Sequence, residues 1–270
     1  MDFSLKRHLT QICATILYNG NFFGLGKIVR ANKVCVPGLN CAYCPGAIAG
    51  CPLGTLQNLF ATGLTRIPFY MLASILLIAL LLGRIICGWL CPFGLLEDLL
   101  YKIPTPKISK NKYTGYLSYL KYFIFTVAVV VVPLYFYYTK NRAFPAFCEE
   151  LCPNGLLNGL LMIFTGTGSG FGYALVSDVK LVIAIAILLG SVFIFRLFCR
   201  FICPLGAFYS VFNKFSVFAM RIDEDKCIGC NACKRACLMD CKTVGDGECI
   251  ACSKCAKACP VKAIKLASRY

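Results

Sequence analysis

A chain of 270 residues that is 59% hydrophobic and only 15% charged departs widely from the composition of a water-soluble domain. Its 20 cysteines stand against one histidine, His8, which excludes a bis-histidine haem and leaves thiolates as the main metal-binding resource. The formal charge of +16 overstates the basicity, since metal-ligating thiolates are left out of that sum and many Lys and Arg flank apolar runs, so nucleic-acid binding is not expected.

In chain order, residues 9–29 read as a retained membrane segment broken at Asn19, Gly20 and Asn21, with no small-residue cleavage site after it. Cys13 within it reads as a small apolar packing residue. Then comes C35VPGLNC41AYC44PGAIAGC51PLG and a short apolar piece that fits a half-helix starting at Pro52. Proline suits a first helical position because its missing N–H has no partner there anyway. Residues 67–86 supply about the 20 apolar residues that a bilayer core requires.

C91PFGLLEDLLYKI reads as an amphipathic interfacial helix, with Glu97 and Asp98 on a solvated face and Trp89 as an interface anchor. Residues 117–138 form a second expected span, with Pro133 and an aromatic belt from Tyr135 to Tyr138 near its end. The following loop carries C148EELC152PNG and the glycine-rich T165GTGSGFG, which follows no strand and so lacks the context of a nucleotide-binding loop. Residues 179–198 are the third expected span, and 208–219 again look interfacial.

Cys-Pro-x-Gly recurs as C51PLG, C91PFG, C152PNG and C203PLG, the last three with another cysteine four positions earlier. Two copies align further, as R84IICGWLCPFG and R196LFCRFICPLG, each closing an apolar run. Isolated membrane cysteines read as small hydrophobes, but this repetition reads as a cofactor socket. Arg84 and Arg196 serve either as interfacial anchors or as charge balance for such a socket.

From Arg221 the composition turns polar and reads C227IGC230NAC233KRAC237, then C249IAC252SKC255AKAC259P. This is the doubled bacterial ferredoxin spacing, in which the fourth cysteine of each run serves the other cluster. One [4Fe–4S] cluster is therefore expected on Cys227, Cys230, Cys233 and Cys259, and a second on Cys249, Cys252, Cys255 and Cys237. Zinc sites use Cys-x2-Cys pairs but rarely three evenly spaced cysteines plus a fourth, twice over. Leu238 stands where a proline would follow Cys237, and Cys241 reads as a spare thiol.

More of the span-flanking Lys and Arg fall on the tail's side, which places the tail in the cytoplasm. Cys87, Cys91, Cys199 and Cys203 then meet at the cytoplasmic face. Cys35, Cys41, Cys44, Cys51, Cys148 and Cys152 collect on the outer side, roughly a 30 Å bilayer core away unless re-entrant loops intervene. One or two clusters are expected in the membrane domain as a whole, the six outer thiolates sufficing for one with two left over.

The doubled R-x2-C-x3-C-P-x-G and the double-cluster tail resemble the NapH-type ferredoxin membrane proteins, quinol dehydrogenase subunits of periplasmic nitrate reduction. They also resemble the membrane part of the NosR-type regulators. The resemblance covers nearly the whole chain and implies electron transfer between a membrane donor and a partner redox protein. The extra cysteines from Cys35 to Cys51, with Cys148 and Cys152, depart from that pattern.

The expected fold is a mainly α integral membrane bundle with internal duplication and re-entrant segments over residues 1–220. A C-terminal α+β domain of dicluster ferredoxin type follows over residues 221–270. The expected function is an iron–sulfur electron carrier in the inner (cytoplasmic) membrane, multi-pass and bathed in lipid. It would work with a ferredoxin-like donor and with a flavoprotein or other membrane subunits. A quinol dehydrogenase subunit and a redox-sensing or assembly protein are the alternatives.

Overall fold

The computed structural model describes residues 3–20, 35–41, 47, 50–63, 69–108, 112–141, 144–157, 160 and 178–268. Cys44 and the glycine-rich stretch at 165–172 lie outside them, as does the part of the expected first membrane segment from 21 to 29.

The first part of the chain is helical. Helix α1 (Phe3–Tyr18) is followed by the half-helix α2 (Pro52–Ala61), which starts at Pro52 as its sequence predicts. Next come α3 (Phe69–Leu82), a short α4 (Ile85–Trp89) and α5 (Pro92–Leu100). The long helix α6 (Thr114–Lys140) runs 27 residues with a mean hydropathy of 1.9 over its most apolar window. It is the one helix among the described residues long and apolar enough to cross a membrane. Helices α7 (Asp178–Phe193) and α8 (Pro204–Asn213) complete this part. Among the described residues the expected spans at 67–86 and 179–198 appear as helices of 14 and 16 residues.

Two of these helices bury polar or charged side chains while exposing large apolar ones. Helix α1 buries Arg7, Gln11 and Ala14 at helical spacing while Leu5, Leu9, Ile16 and Leu17 face outward. Helix α7 buries Lys180 and Ser191 while Val182, Ile185 and Leu189 are exposed. Cys13, expected in packing, is exposed on the outer face of α1.

Within α6 the backbone winds as a π-helix over Phe125–Val131, with Val132 N–H donating five residues back to the Val127 carbonyl. In that register the Ala128 carbonyl would take its hydrogen from residue 133, which is proline and has none. The Gln57 side chain, fully buried on α2, donates instead at 3.3 Å.

The tail pairs β1 (Phe218–Ile222) antiparallel with β2 (Ile264–Ser268), and between them lie two single-turn helices, α9 (Ala232–Ala236) and α10 (Lys254–Ala258). Strand β1 begins three residues ahead of the expected boundary at 221. The tail rests on the helical part, where Trp89, expected at the membrane interface, donates its indole N–H to the Ala251 carbonyl at 3.2 Å.

Candidate metal centres

Each Cys-Pro-x-Gly repeat builds the same local device. The proline forces the preceding cysteine out of the helical region, and Cys51, Cys91, Cys152 and Cys203 are all extended, with ψ of 135°, 119°, 109° and 114°. A helix then starts at each proline, so its first free amides point back at the cysteine sulfur. Gly206 N–H donates to Cys203 Sγ at 3.4 Å. Backbone amides of Leu53, Gly94 and Gly155 bond the thiols of Cys51, Cys91 and Cys152 in the same way. The two matched repeats also share one odd hydrogen bond, from Cys91 N–H to the Ile86 carbonyl and from Cys203 N–H to the Phe198 carbonyl.

The final glycine makes room. A Cβ at Gly94 would lie 2.8 Å from the Cys87 carbonyl oxygen, and one at Gly206 would lie 3.0 Å from that of Cys199. Those carbonyls are engaged by arginines from the opposite repeat, Arg196 on Cys87 at 2.6 Å and Arg84 on Cys199 at 2.8 Å. Cys87, Cys91, Cys199 and Cys203 are all buried and line one narrow apolar cavity with Ile86, Phe93 and Phe198.

Both arginines are fully buried, so neither is an interfacial anchor. Arg196 makes a bidentate pair with Asp98, at 2.8 and 2.7 Å, and Arg7 reaches the same carboxylate at 3.0 Å. Burial alone would raise the Asp98 pKa, but the Arg196 guanidinium holds it below the ordinary value. Glu97 accepts from Phe198 N–H at 2.8 Å and Ser191 at 3.3 Å, and burial pushes it up to about 7. The solvated face expected for Glu97 and Asp98 is therefore overturned: both are buried, because the second repeat needs a carboxylate and an acceptor there. Their signal in the sequence was an Glu-Asp pair in an otherwise apolar helix.

Arg84 finds its carboxylate in the tail. Glu248 pairs with Arg84 and with Lys121, both fully buried. Burial would raise Glu248, and the Arg84 and Lys121 charges bring it below its usual value. Asn213 closes the joint by accepting from Arg84 N–H at 2.9 Å and donating to the carbonyls of Asp246 and Cys249 at 2.7 and 3.2 Å. Gly88 faces the Ile250 carbonyl closely enough that a Cβ would collide with it. The loop bearing Cys249 and Cys252 is thus seated on the turn between Cys87 and Cys91.

In the tail, Cys233, Cys237, Cys249, Cys252 and Cys255 line a cavity of 160 Å³, while Cys227 and Cys230 are exposed at the far edge. Cys241 lines the same cavity, and its thiol hydrogen-bonds those of Cys237 and Cys249. Cys259 accepts from Ala263 N–H at 3.4 Å.

Among the described residues, Cys35, Cys41, Cys51, Cys148 and Cys152 lie close to the inner four rather than a bilayer away. Gly38 packs so closely on the Cys91 backbone that its Cβ would sit 3.2 Å from Cys91 Cα, and Tyr209, fully buried, donates to the Pro37 carbonyl at 3.0 Å. Cys51 lies within electrostatic reach of Cys152, Cys35 and Cys91. Residues 35–41 pack against Cys91, and the half-helix α2 holds Cys51 against α6 through Gln57. Of the two arrangements left open by the sequence, this one agrees with re-entrant loops.

Among the described residues no three Cys, His, Asp or Glu side chains converge where one ion could be held. Thiols spaced around cavities, with helix amides aimed at sulfur and cations behind, fit a cubane that gives each thiolate its own iron.

Two family models, each described as a 4Fe-4S binding domain, match the chain, one over residues 63–111 and 180–223 and the other over 220–237 and 243–265. The first covers both arginine-bearing repeats and the second covers the tail runs. Among curated proteins, the uncharacterized protein MJ0749 of Methanocaldococcus jannaschii is 32% identical over 69% of this chain and 61% of its own length. The uncharacterized protein MJ0750 of the same organism is 31% identical over 71% of this chain and 74% of its own. The putative electron transport protein YccM of Escherichia coli is 27% identical over 72% of this chain and 54% of its own. The chain thus spans less than two thirds of MJ0749 and of YccM. No solved structure matches it. The fold and its thiol sites define an iron–sulfur protein whose cofactor class is the [4Fe–4S] cluster. The chain belongs to the NapH/NosR-like family of 4Fe–4S ferredoxin-type proteins.

Proposed function

We propose that this chain is an integral membrane electron conduit that takes electrons from a low-potential cytoplasmic donor and delivers them to a partner redox protein across the membrane. The observation that carries the reading is continuity. The tail loop of Cys249 and Cys252 rests on the Cys87–Cys91 turn through Ile250 and Glu248, and the loop of Cys35 to Cys41 rests on Cys91 from the other side. No gap of a bilayer core interrupts the line of thiols.

In the tail, Cys227, Cys230, Cys233 and Cys259 would hold one cluster and Cys249, Cys252, Cys255 and Cys237 another. Cys87, Cys91, Cys199 and Cys203 would hold a third. Bound there, [4Fe–4S] clusters supply one-electron storage at potentials set by hydrogen bonds to sulfur, net charge and burial. The residues around the inner four set all of these: helix amides on the sulfurs, two guanidiniums, and an apolar wall of Ile86, Phe93 and Phe198. The exposed Cys227 and Cys230 make the outer edge of the tail the port for a soluble donor.

Membrane residence is supported by the apolar outer faces of α1, α3, α6 and α7 around buried Arg, Lys and Gln side chains, the arrangement that lipid rather than water favours. We assign the helical part, residues 1–220, to the membrane and the tail, 221–270, to the cytoplasmic side. That polarity rests on the lysine and arginine balance.

A quinol-oxidising subunit is the second reading. It is favoured by an apolar cavity of 180 Å³ between α2, α3, α6 and α8, next to Cys51 and Cys203. Liposomes carrying the protein, with a trapped impermeant acceptor, separate the two. Reduction of the acceptor by an external low-potential protein donor, without quinone, supports the conduit. Reduction only by a quinol analogue supports the second reading and overturns the first.

A further inference from the structure

Outside the inner four cysteines, the helical part contains a second constellation that repeats their construction. We propose that Cys41, Cys51, Cys148 and Cys152 form a second [4Fe–4S] site within the helical part, with Lys180 in the place that arginine takes in the first. The proposal rests on the reading of the chain as an iron–sulfur carrier and adds to it a specific ligand set.

The likeness is closest in the Cys148–Cys152 half. Phe147–Leu151 winds as a π-helix and ends at an extended Cys152 (φ −78°, ψ 109°), as Phe198–Ile202 ends at an extended Cys203 (φ −66°, ψ 114°). A helix follows Pro153 as one follows Pro204. Lys180 Nζ donates to the Cys148 carbonyl at 3.0 Å, the bond that Arg196 gives Cys87 and Arg84 gives Cys199. Gly155 leaves the space for it, since a Cβ there would lie 3.0 Å from Lys180 Nζ. Lys180 itself is 1% exposed.

The four thiols are drawn together from both sides. Cys51 N–H donates to the Asn40 carbonyl at 2.8 Å, which sets Cys41 beside Cys51. Cys148 N–H donates to Gln57 Oε1 at 3.2 Å, which ties the Cys148–Cys152 turn to the half-helix that starts at Cys51. Electrostatically, Cys148 faces Cys152, Cys51 and Cys41, and Cys152 faces Cys41. Cys35 differs in its backbone, which bridges to Gly50. It stands on the side of Cys51 toward the inner four, where Tyr209 senses Cys87, Cys51, Cys35 and Cys91 together.

The test is metal content with low-temperature EPR of the anaerobically purified full chain. The wild type should hold about sixteen irons, from four per cluster and four sites. Cys41→Ala, Cys51→Ala, Cys148→Ala and Cys152→Ala should each lose about four of these and a single EPR component, while Cys35→Ala keeps all of them. Full iron in Cys148→Ala, or a four-iron loss in Cys35→Ala or Cys44→Ala, overturns the assignment. A wild type with only about twelve irons overturns this site alone and leaves the conduit to its own liposome test. Should the cysteine variants fold poorly, Lys180→Met decides: the midpoint potential of one component should move and the others stay. Unchanged midpoints throughout would overturn the proposal.

Discussion

Arg84 and Arg196 occupy the same position in the two repeats, and each holds the other repeat's first cysteine, Arg84 through the Cys199 carbonyl and Arg196 through the Cys87 carbonyl. The exchange locks the two halves around four thiols, and each arginine brings its own carboxylate, Glu248 or Asp98. Removing one partner of a buried pair costs about 3–5 kcal/mol, because the other charge is left without compensation. Arg196→Met should therefore destabilise the helical part by that order and remove the inner cluster, with both tail clusters retained. Iron analysis and EPR check this, and retention of all clusters in Arg196→Met would show the crossing to be dispensable. Arg196→Lys should also fail, since one ammonium cannot reproduce the two parallel bonds to Asp98 together with the bond to Cys87.

The glycines of the four repeats offer a graded comparison. Gly94→Ala places a methyl 2.8 Å from the Cys87 carbonyl and Gly206→Ala places one 3.0 Å from that of Cys199, both backbone atoms unable to move aside cheaply. Gly54→Ala meets nothing within 4 Å. The expected order of cluster loss on mild heating is Gly94→Ala first, then Gly206→Ala, with Gly54→Ala at the wild-type level or slightly stabilised by its better helix propensity. A Gly54→Ala variant as damaged as Gly94→Ala would contradict the close-approach explanation.

That distinction among copies was partly legible in the sequence. C51PLG lacks the cysteine four positions earlier, where Ala47 stands, and it is the copy whose glycine faces open space. The half-helix at Pro52, the duplicated sockets and the tail runs were readable because proline, glycine and cysteine act locally. What could not be read was which distant side chain completes each socket. Glu248 lies beside Cys249 with no motif of its own, and Lys180 looks like the flank of an apolar run. Glu97 and Asp98 looked solvated because their partners lie a hundred residues away, on the segment around Arg196 and Phe198. The distance between the two membrane sets stays open in the sequence for a related reason: spacing along a chain says nothing about a loop that folds back.

Gln57 bonds two groups that would otherwise be orphaned, the Ala128 carbonyl below Pro133 and the Cys148 N–H. Leaving a buried polar group unsatisfied costs about 1–3 kcal/mol. Gln57→Leu should destabilise the protein by one such increment or more, read as a lower midpoint of thermal unfolding in detergent. Pro133→Ala restores an N–H at position 133, the donor that the π register denies to Ala128. It should recover part of the loss in the double variant Gln57→Leu/Pro133→Ala. Strictly additive losses would mean that Gln57 does not stand in for the missing proline N–H.

Glu248 is the joint between tail and helices, since the second repeat has Ser210 where the first has Asp98, seven positions after its second cysteine. The carboxylate that Arg84 needs is supplied from the tail, together with the Asn213 bonds to the Asp246 and Cys249 carbonyls. Glu248→Gln keeps the shape but leaves Arg84 and Lys121 buried without their counter-charge. The tail is expected to dock less tightly, with faster backbone hydrogen exchange from Asp246 to Cys252 and all clusters still assembled. Electrons given to the tail by a low-potential protein should then reach the inner site more slowly, because each 1.4 kcal/mol or so of lost docking lowers the docked-to-undocked ratio about tenfold. Freeze-quench EPR at the inner site measures that rate, and the tail's own reduction in the same samples controls for donor binding. An unchanged inner rate alongside increased exchange would show that transfer does not depend on this contact, and the joint would be structural only.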